Sequence, residues 1–180
     1  KFAIGGIKVT GEERRNYILQ RLQETDIPLS GTALAKAFHV SRQIIVQDIA
    51  LMRAENYGIF STNKGYLLRS EKTENTQPKR VFFVKHNKDQ VLEEFQTVIE
   101  LGGKILDVAV EHELYGQIRV DLLIETLADA EDFHGRLMAC KDNPLKVLTD
   151  DCHYHTVSAP SEKLLDLIAE ALRKNGYLLV

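Results

Sequence analysis

The sequence predicts an α+β protein in which an N-terminal winged helix-turn-helix precedes a split βαβ, or ferredoxin-like, domain with an extra C-terminal helix. Residues 30–57 carry two helical patterns joined by a short turn, and residues 80–180 alternate strand and helix patterns. Between them, residues 70–79 are polar and contain Pro78, which predicts a linker between domains spanning residues 11–69 and 80–180. Residues 1–10 show no periodic pattern and are expected to be a disordered tail or an expression remnant.

Three helices and a hairpin are expected in the first domain. The first helix spans residues 12–24, the second begins after Ser30, and the third begins after Ser41, whose hydroxyl can cap its first turn. Residues 59–68 give two short strand patterns around Asn63 and Gly65, which predicts a β-hairpin, the wing. Helical spacing predicts a shared core made of Tyr17, Ile18, Leu22, Leu34, Ala35, Phe38, Val40, Ile45, Ile49 and Met52.

The second and third helices predict a DNA-binding role. Two helices joined by so short a turn cross steeply, and in DNA-binding versions the start of the second lies in the major groove. The residues expected to contact DNA are Ser41, Arg42, Gln43 and Gln47 on the third helix and Lys64 in the hairpin turn. Ile44, Val46 and Leu51 fall off the inner face of the third helix; they either contact thymine methyls or cover neighbouring helices.

Charge and composition favour a cytoplasmic DNA-binding protein. Residues 1–80 hold 13 Lys and Arg against 8 Asp and Glu, whereas residues 81–180 hold 10 against 18. The basic half suits phosphate contacts. No apolar run is long enough to span a bilayer, no signal peptide is legible, and Cys140 and Cys152 are expected to be reduced thiols.

The second domain has the element order βαββαβ followed by a helix. Asn87, with Gln90 three residues later, is a good N-cap for its first helix. The expected elements are a strand at 80–86, a helix at 87–101, strands at 104–112 and 117–125, a helix at 127–141, a strand at 152–158 and a helix at 161–175. This order is the split βαβ pattern.

Histidines of the second domain indicate a metal site. His153 and His155 lie two apart on a predicted strand and therefore project from the same face. His86 ends the first strand and Glu94 lies two turns into the next helix, so the four side chains could converge if the first and last strands are neighbours. Such a donor set suits Zn, Ni, Fe or Mn. The alternatives are that Glu94 is a solvated helix residue and His86 an ordinary strand-end residue.

The remaining histidines are assigned less specific roles. His112 closes a predicted strand and could be a ligand instead, or could contact a small molecule. His39 lies in the turn between the second and third helices and is expected to face solvent. His134 lies in a predicted helix and is expected to be a structural or surface residue.

Several motifs in order resemble one known family. They are Val40-Ser41-Arg42-Gln43 through Gln47-Asp48-Ile49, Lys85-His86 followed by Glu94, Gly103-Lys104-Ile105-Leu106-Asp107-Val108, Val110-Glu111-His112 with Tyr115-Gly116, and His153-Tyr154-His155-Thr156. From about residue 12 to the C-terminus, the chain resembles the niacin-responsive transcriptional repressors of Gram-positive and related bacteria. These join a helix-turn-helix of the biotin-repressor type to a three-histidine (3H) domain.

The resemblance implies a corepressor-controlled regulator, with nicotinic acid as corepressor and one divalent metal held at positions His86, Glu94, His153 and His155. It also implies a homodimer on double-stranded operator DNA that controls genes for NAD synthesis or niacin uptake. Two other functions compete with this one. The metal itself could be the effector, or the chain could be a metal-dependent enzyme fused to a DNA-binding module. The sequence shows no phosphate-binding loop or nucleophile motif, so no enzymatic activity is expected.

Overall fold

A computed structural model describes residues 9–68, 77–140 and 145–179. The chain divides into two compact units, one on each side of residues 69–76. Most of the predicted tail and most of the predicted linker lie outside the described residues. Thr10, predicted to lie in the tail, is the N-cap of the first helix and forms a reciprocal capping box with Glu13. Lys79, predicted to lie in the linker, begins a strand.

The N-terminal unit contains three helices and a hairpin. They are α1 (Gly11–Gln23), α2 (Gly31–Ala37), α3 (Arg42–Ala54), β1 (Ile59–Ser61) and β2 (Tyr66–Leu68). The hydroxyls of Ser30 and Ser41 accept backbone N–H groups in the first turns of α2 and α3, as the sequence predicted. The predicted core is confirmed: its inward residues are buried or partly buried around Ile18, Ile45 and Ile49.

An ion pair inside this unit joins α1 to α3. Asp48 lies on the inner side of α3, and only 3% of its side chain is exposed. Arg14 donates to both of its carboxylate oxygens, at 2.6 and 3.2 Å, and Arg15 Nη1 lies 3.5 Å away. A two-pronged contact of this kind fixes both position and orientation. It therefore sets how α3 lies against α1.

The hairpin closes against the start of α2. β1 and β2 pair antiparallel, and the backbone of Leu29 bridges to Tyr66 beside them. Gly65 has φ +148°, and a β-carbon there would lie 2.3 Å from the Leu29 carbonyl oxygen. The turn therefore requires glycine at this position. Arg53 of α3 donates to the Ile59 carbonyl and thereby attaches the hairpin to the third helix.

The C-terminal unit is a four-stranded antiparallel sheet with three helices. Its elements are β3 (Lys79–Lys85), a 3-10 turn (Lys88–Gln90), α4 (Val91–Glu100), β4 (Lys104–His112), β5 (Gly116–Ile124), α5 (Leu127–Ala139), a second 3-10 turn (Leu145–Thr149), β6 (Cys152–Ser158) and α6 (Glu162–Lys174). The strand order is β3-β6-β4-β5. The predicted cap is present. The Asn87 side chain accepts the backbone N–H groups of Asp89 and Gln90, and the Gln90 side chain accepts the backbone N–H of Asn87.

The α+β class and the split βαβ arrangement are confirmed. β3 and β4 run parallel and are separated by β6, while β5 and β6 run parallel and are separated by β4. The ferredoxin-like prediction is wrong in its strand order, because a ferredoxin-like sheet has its first and third strands in the centre. Here the second and fourth strands, β4 and β6, are central, because β6 inserts between β3 and β4. Element order alone does not specify this pairing.

The helices α4, α5 and α6 share one apolar core with one face of the sheet. Residues 177–179 run along the outer edge of β3, where the Lys85 N–H donates to the Tyr177 carbonyl and the Leu179 N–H donates to the Phe83 carbonyl, both at 2.9 Å. Cys140 and Cys152 are free thiols, as expected. Within the described ranges, no helix is both long and apolar enough to cross a lipid bilayer.

Candidate metal centre and nucleic-acid interface

The structure brings the four predicted metal-site residues together. β3 pairs with β6, so His86, directly after β3, lies near His153 and His155 on β6. The two β6 histidines face the core side of the sheet, because they alternate with Tyr154 along the strand. Glu94 projects from the first turn of α4 into the same place. The expectation that the first and last strands are neighbours is confirmed.

The four side chains form a compact and buried cluster. One ligand atom from each lies within 4.8 Å of all the others. Glu94 Oε2 lies 2.7 Å from His86 Nε2 and 3.7 Å from His155 Nε2, and the Nε2 atoms of His153 and His155 are 3.2 Å apart. Each residue is at most 4% exposed. Burying four polar groups together is costly unless they satisfy one another or a bound ion.

Main-chain oxygens orient all three imidazoles. Nδ1 of His86 contacts the Asn87 carbonyl at 3.0 Å, and Nδ1 of His153 contacts the Asp151 carbonyl at 3.0 Å. Nδ1 of His155 contacts a third carbonyl oxygen, on β4, at 2.7 Å. Because a carbonyl oxygen only accepts, each Nδ1 carries a proton, and each Nε2 is the ring nitrogen that faces the cluster. Ring orientation by outer hydrogen bonds is typical of metal-ligating histidines.

The protonation states also fit a metal. Burial, and then the neighbouring His155, lower the pKa of His153 to about 3, so its imidazole is neutral at physiological pH. Burial opposes ionisation of Glu94, but His155, His86 and His153 outweigh it and lower its pKa to about 2. His153 and Glu94 are therefore in the forms that coordinate cations, a neutral imidazole and an ionised carboxylate. Two imidazole Nε2 atoms 3.2 Å apart beside a carboxylate fit a divalent cation between them.

Aromatic rings and a tight turn enclose the cluster. The Phe95 ring lies 5.5 Å from the ring of His155, and the Tyr177 ring lies 5.9 Å from that of His86. Asp150 and Asp151 precede β6 with φ of +52° and +64°, a left-handed conformation that is uncommon outside glycine. This turn presents the Asp151 carbonyl to His153.

The other histidines lie elsewhere. His112 is at the tip of the β4–β5 hairpin, where its Nδ1 accepts the backbone N–H groups of Leu114 and Tyr115. It is not part of the described cluster. His39 is exposed in the α2–α3 turn with φ +54°, and His134 lies half-buried on α5.

The predicted DNA-contacting side chains lie on the outer side of α3. Ser41, Arg42, Gln43 and Gln47 are exposed, and the inward side of the same helix is buried. Lys64 lies in the hairpin turn, where its backbone N–H donates to Thr62. Of the apolar residues that the sequence left open, Val46 and Leu51 are 36% and 44% exposed. The arrangement is therefore open to a partner along the start of α3.

Two buried carboxylates had no role in the sequence analysis. Asp48 holds α3 to α1, and Asp107 lies within an apolar stretch of β4. An acidic residue at an inward position of an apolar pattern can be recognised in the sequence. It predicts a partner for the carboxylate, since buried carboxylates are almost always paired. The three carbonyls that orient the histidines could not be predicted from residue type, because every residue has a backbone carbonyl.

Comparison with known proteins agrees with the two units. Residues 79–180 match the 3H domain family, and residues 14–67 match an HTH domain family. The probable transcription repressor NiaR of Thermotoga maritima is 36% identical over 173 residues, covering 96% of this chain and 97% of that protein. The transcription repressor NadR of Bacillus subtilis is 34% identical over 174 residues, with coverage of 96% and 97%. Both relatives are named as transcription repressors, the first as a probable one, which agrees with the expectation that this chain is a regulator. The chain belongs to the family of transcription repressors that join an N-terminal helix-turn-helix to a C-terminal 3H domain.

Proposed function

We propose that this repressor binds operator DNA as a homodimer and uses a divalent metal and nicotinic acid as corepressor to control NAD synthesis or niacin uptake genes. The observation that carries the proposal is the buried cluster of three oriented imidazoles and one carboxylate. A regulator that only bound DNA would not need it.

His86, Glu94, His153 and His155 would hold the metal through three Nε2 atoms and a carboxylate oxygen. When bound, the metal offers a Lewis-acidic position to which a pyridine nitrogen or a carboxylate can bind, provided that its coordination exceeds four. The carbonyls of Asn87 and Asp151 keep two of the imidazoles in the tautomer that this requires. Nicotinic acid carries both kinds of donor, which is why it suits such a site.

On the DNA side, Ser41, Arg42, Gln43 and Gln47 would face base edges and Lys64 would contact phosphate. A dimer places two such helices on half-sites about one helical turn apart. The corepressor can increase DNA affinity only by binding the DNA-competent arrangement more tightly than the other. The typical size of such coupling is about 5- to 150-fold in affinity.

The test measures operator affinity by fluorescence anisotropy, using DNA from upstream of the gene itself. Chelator-treated protein is assayed alone, with metal, with nicotinic acid and with both. We expect the highest affinity with both. His153→Ala should lose this increase and its bound metal while keeping basal DNA binding, and the matched control His134→Ala should behave like wild type. Equal affinity in all four conditions would contradict corepression.

One observation favours a second candidate, a repressor that responds to the metal alone. Four protein ligands are enough to complete a tetrahedral site, which leaves no position for an organic molecule. In that case metal without nicotinic acid would give full operator affinity. The same four conditions therefore separate the two functions.

A further inference from the structure

Asp107 is a buried charged residue that neither the metal ligands nor the DNA-contacting residues explain. It is 5% exposed and stands in the middle of β4. It also belongs to the segment of residues 103–108 through which the sequence resembles its family. A carboxylate buried in a sheet is costly unless its contacts are well made.

Asp107 makes two contacts with β6, the strand that carries His153 and His155, and a third with Arg119 of β5. Its carbonyl oxygen accepts from Nδ1 of His155 at 2.7 Å. Its Oδ1 accepts the backbone N–H of Thr156, the residue after His155, at 3.1 Å. Its Oδ2 accepts from Nη1 of Arg119 on β5, also at 3.1 Å. One residue of β4 thus holds two consecutive residues of β6.

An irregularity in β4 makes this possible. The pairing register shifts between Ile105 and Asp107, both toward β5 and toward β6. A β-bulge leaves ladder groups without their regular partners and redirects a residue. Here the Asp107 side chain accepts the Thr156 N–H, and the Asp107 carbonyl oxygen contacts the His155 imidazole.

We propose that Asp107 is a positioning residue of the metal centre. Its carboxylate locks the bulge between Thr156 and Arg119, so that its carbonyl keeps His155 in the Nδ1–H tautomer with Nε2 directed at the metal. This inference rests on the proposed metal binding. Outer partners of this kind typically change metal affinity by about 10- to 100-fold when removed.

A purely structural role would give a different result. If the Asp107 carboxylate only provides an acceptor for the Thr156 N–H, its removal would lower the stability of the fold but leave the His155 tautomer and the metal affinity unchanged. The tautomer and the metal dissociation constant are therefore the decisive readouts.

The experiment titrates Zn²⁺ into the chelator-treated full chain and compares wild type, Asp107→Ala and Asp107→Asn. The control is Glu111→Ala, an exposed residue of the same strand that bonds to Gln117. We expect Asp107→Ala to weaken binding about 10- to 100-fold. Asp107→Asn retains an oxygen for Thr156 and should recover most of that loss, and Glu111→Ala should match wild type.

Nitrogen NMR of the imidazole rings in metal-free protein gives an independent readout. Wild-type His155 should carry its proton on Nδ1, and Asp107→Ala should shift it toward a tautomer mixture. If wild-type His155 carries its proton on Nε2, the inference fails even if Asp107→Ala does not fold. If wild type binds Zn²⁺ and folded Asp107→Ala binds it equally tightly, this inference alone fails. If wild type binds no metal, both the proposed metal binding and this inference fail.

Discussion

Asp48→Ala is expected to destabilise the N-terminal unit strongly. The substitution removes a carboxylate with a 3% exposed side chain and leaves the guanidinium groups of Arg14 and Arg15, which are 11% and 25% exposed. Removing one partner of a fully buried ion pair costs about 3–5 kcal/mol. Because both arginines reach water in part, we expect a cost at or just below the lower end of this range, about 2–3 kcal/mol. That is a large fraction of the stability of a small domain.

The assay is urea unfolding of the full chain, followed by the amide NMR signals of Ile18 and Ile49, which are buried in the core of this unit. With a denaturant dependence of about 1 kcal/mol per molar urea, the midpoint should fall by roughly 2–3 M. Asp48→Asn keeps one acceptor oxygen and should lose less. Operator affinity should fall at temperatures where the variant is partly unfolded.

The matched control is Glu24→Ala, which removes the exposed ion pair that Glu24 forms with Arg21 at 2.8 Å. An exposed pair of this kind contributes at most about 0.5–1 kcal/mol. If Asp48→Ala costs no more than Glu24→Ala, the buried pair does not hold α3 in place, and the reasoning is wrong.

Three further results are expected. Metal at about 1,000 times its Kd should stabilise the C-terminal unit by about 4 kcal/mol, which raises its unfolding midpoint by roughly 15–30 °C. The unfolding midpoint of the N-terminal unit should not change, because all four candidate ligands lie in the C-terminal unit. If calorimetry showed an unchanged midpoint for the C-terminal unit, that result would count against metal binding. Arg42→Ala should weaken operator binding by about 1–3 kcal/mol and relax base preference, and unaltered preference in a binding-site selection would argue against a base contact. If Val46 contacts a thymine methyl, replacing one thymine of the operator by uracil should weaken the binding of wild type but not that of Val46→Ala.

Features that depend on neighbouring residues in the chain were predictable. Ser41 capping α3 and Asn87 pairing with Gln90 are local hydrogen-bonding patterns, so residue type and spacing specify them. The shared face of His153 and His155 follows from strand alternation alone. The histidine cluster could be predicted because it required only one long-range assumption, that the first and last strands of the domain are neighbours.

Features that depend on long-range pairing were not predictable. The central position of β6 depends on which strands exchange hydrogen bonds, and apolar periodicity says nothing about that choice. The register shift beside Asp107 depends on three strands at once. Asp48 could be recognised as an inward acid, but its partners Arg14 and Arg15 are over 30 residues away.

The segment at residues 177–179 has a practical consequence for protein engineering. A bare sheet edge is a template for pairing with another molecule, and this segment covers the edge of β3 beside His86. Trimming the chain before Tyr177 would uncover the Phe83 and Lys85 backbone and also remove the ring that packs on His86. Aggregation and a disordered cluster would then arise from the same deletion. A purification tag is therefore better attached through a flexible spacer beyond Leu179 than in place of these residues.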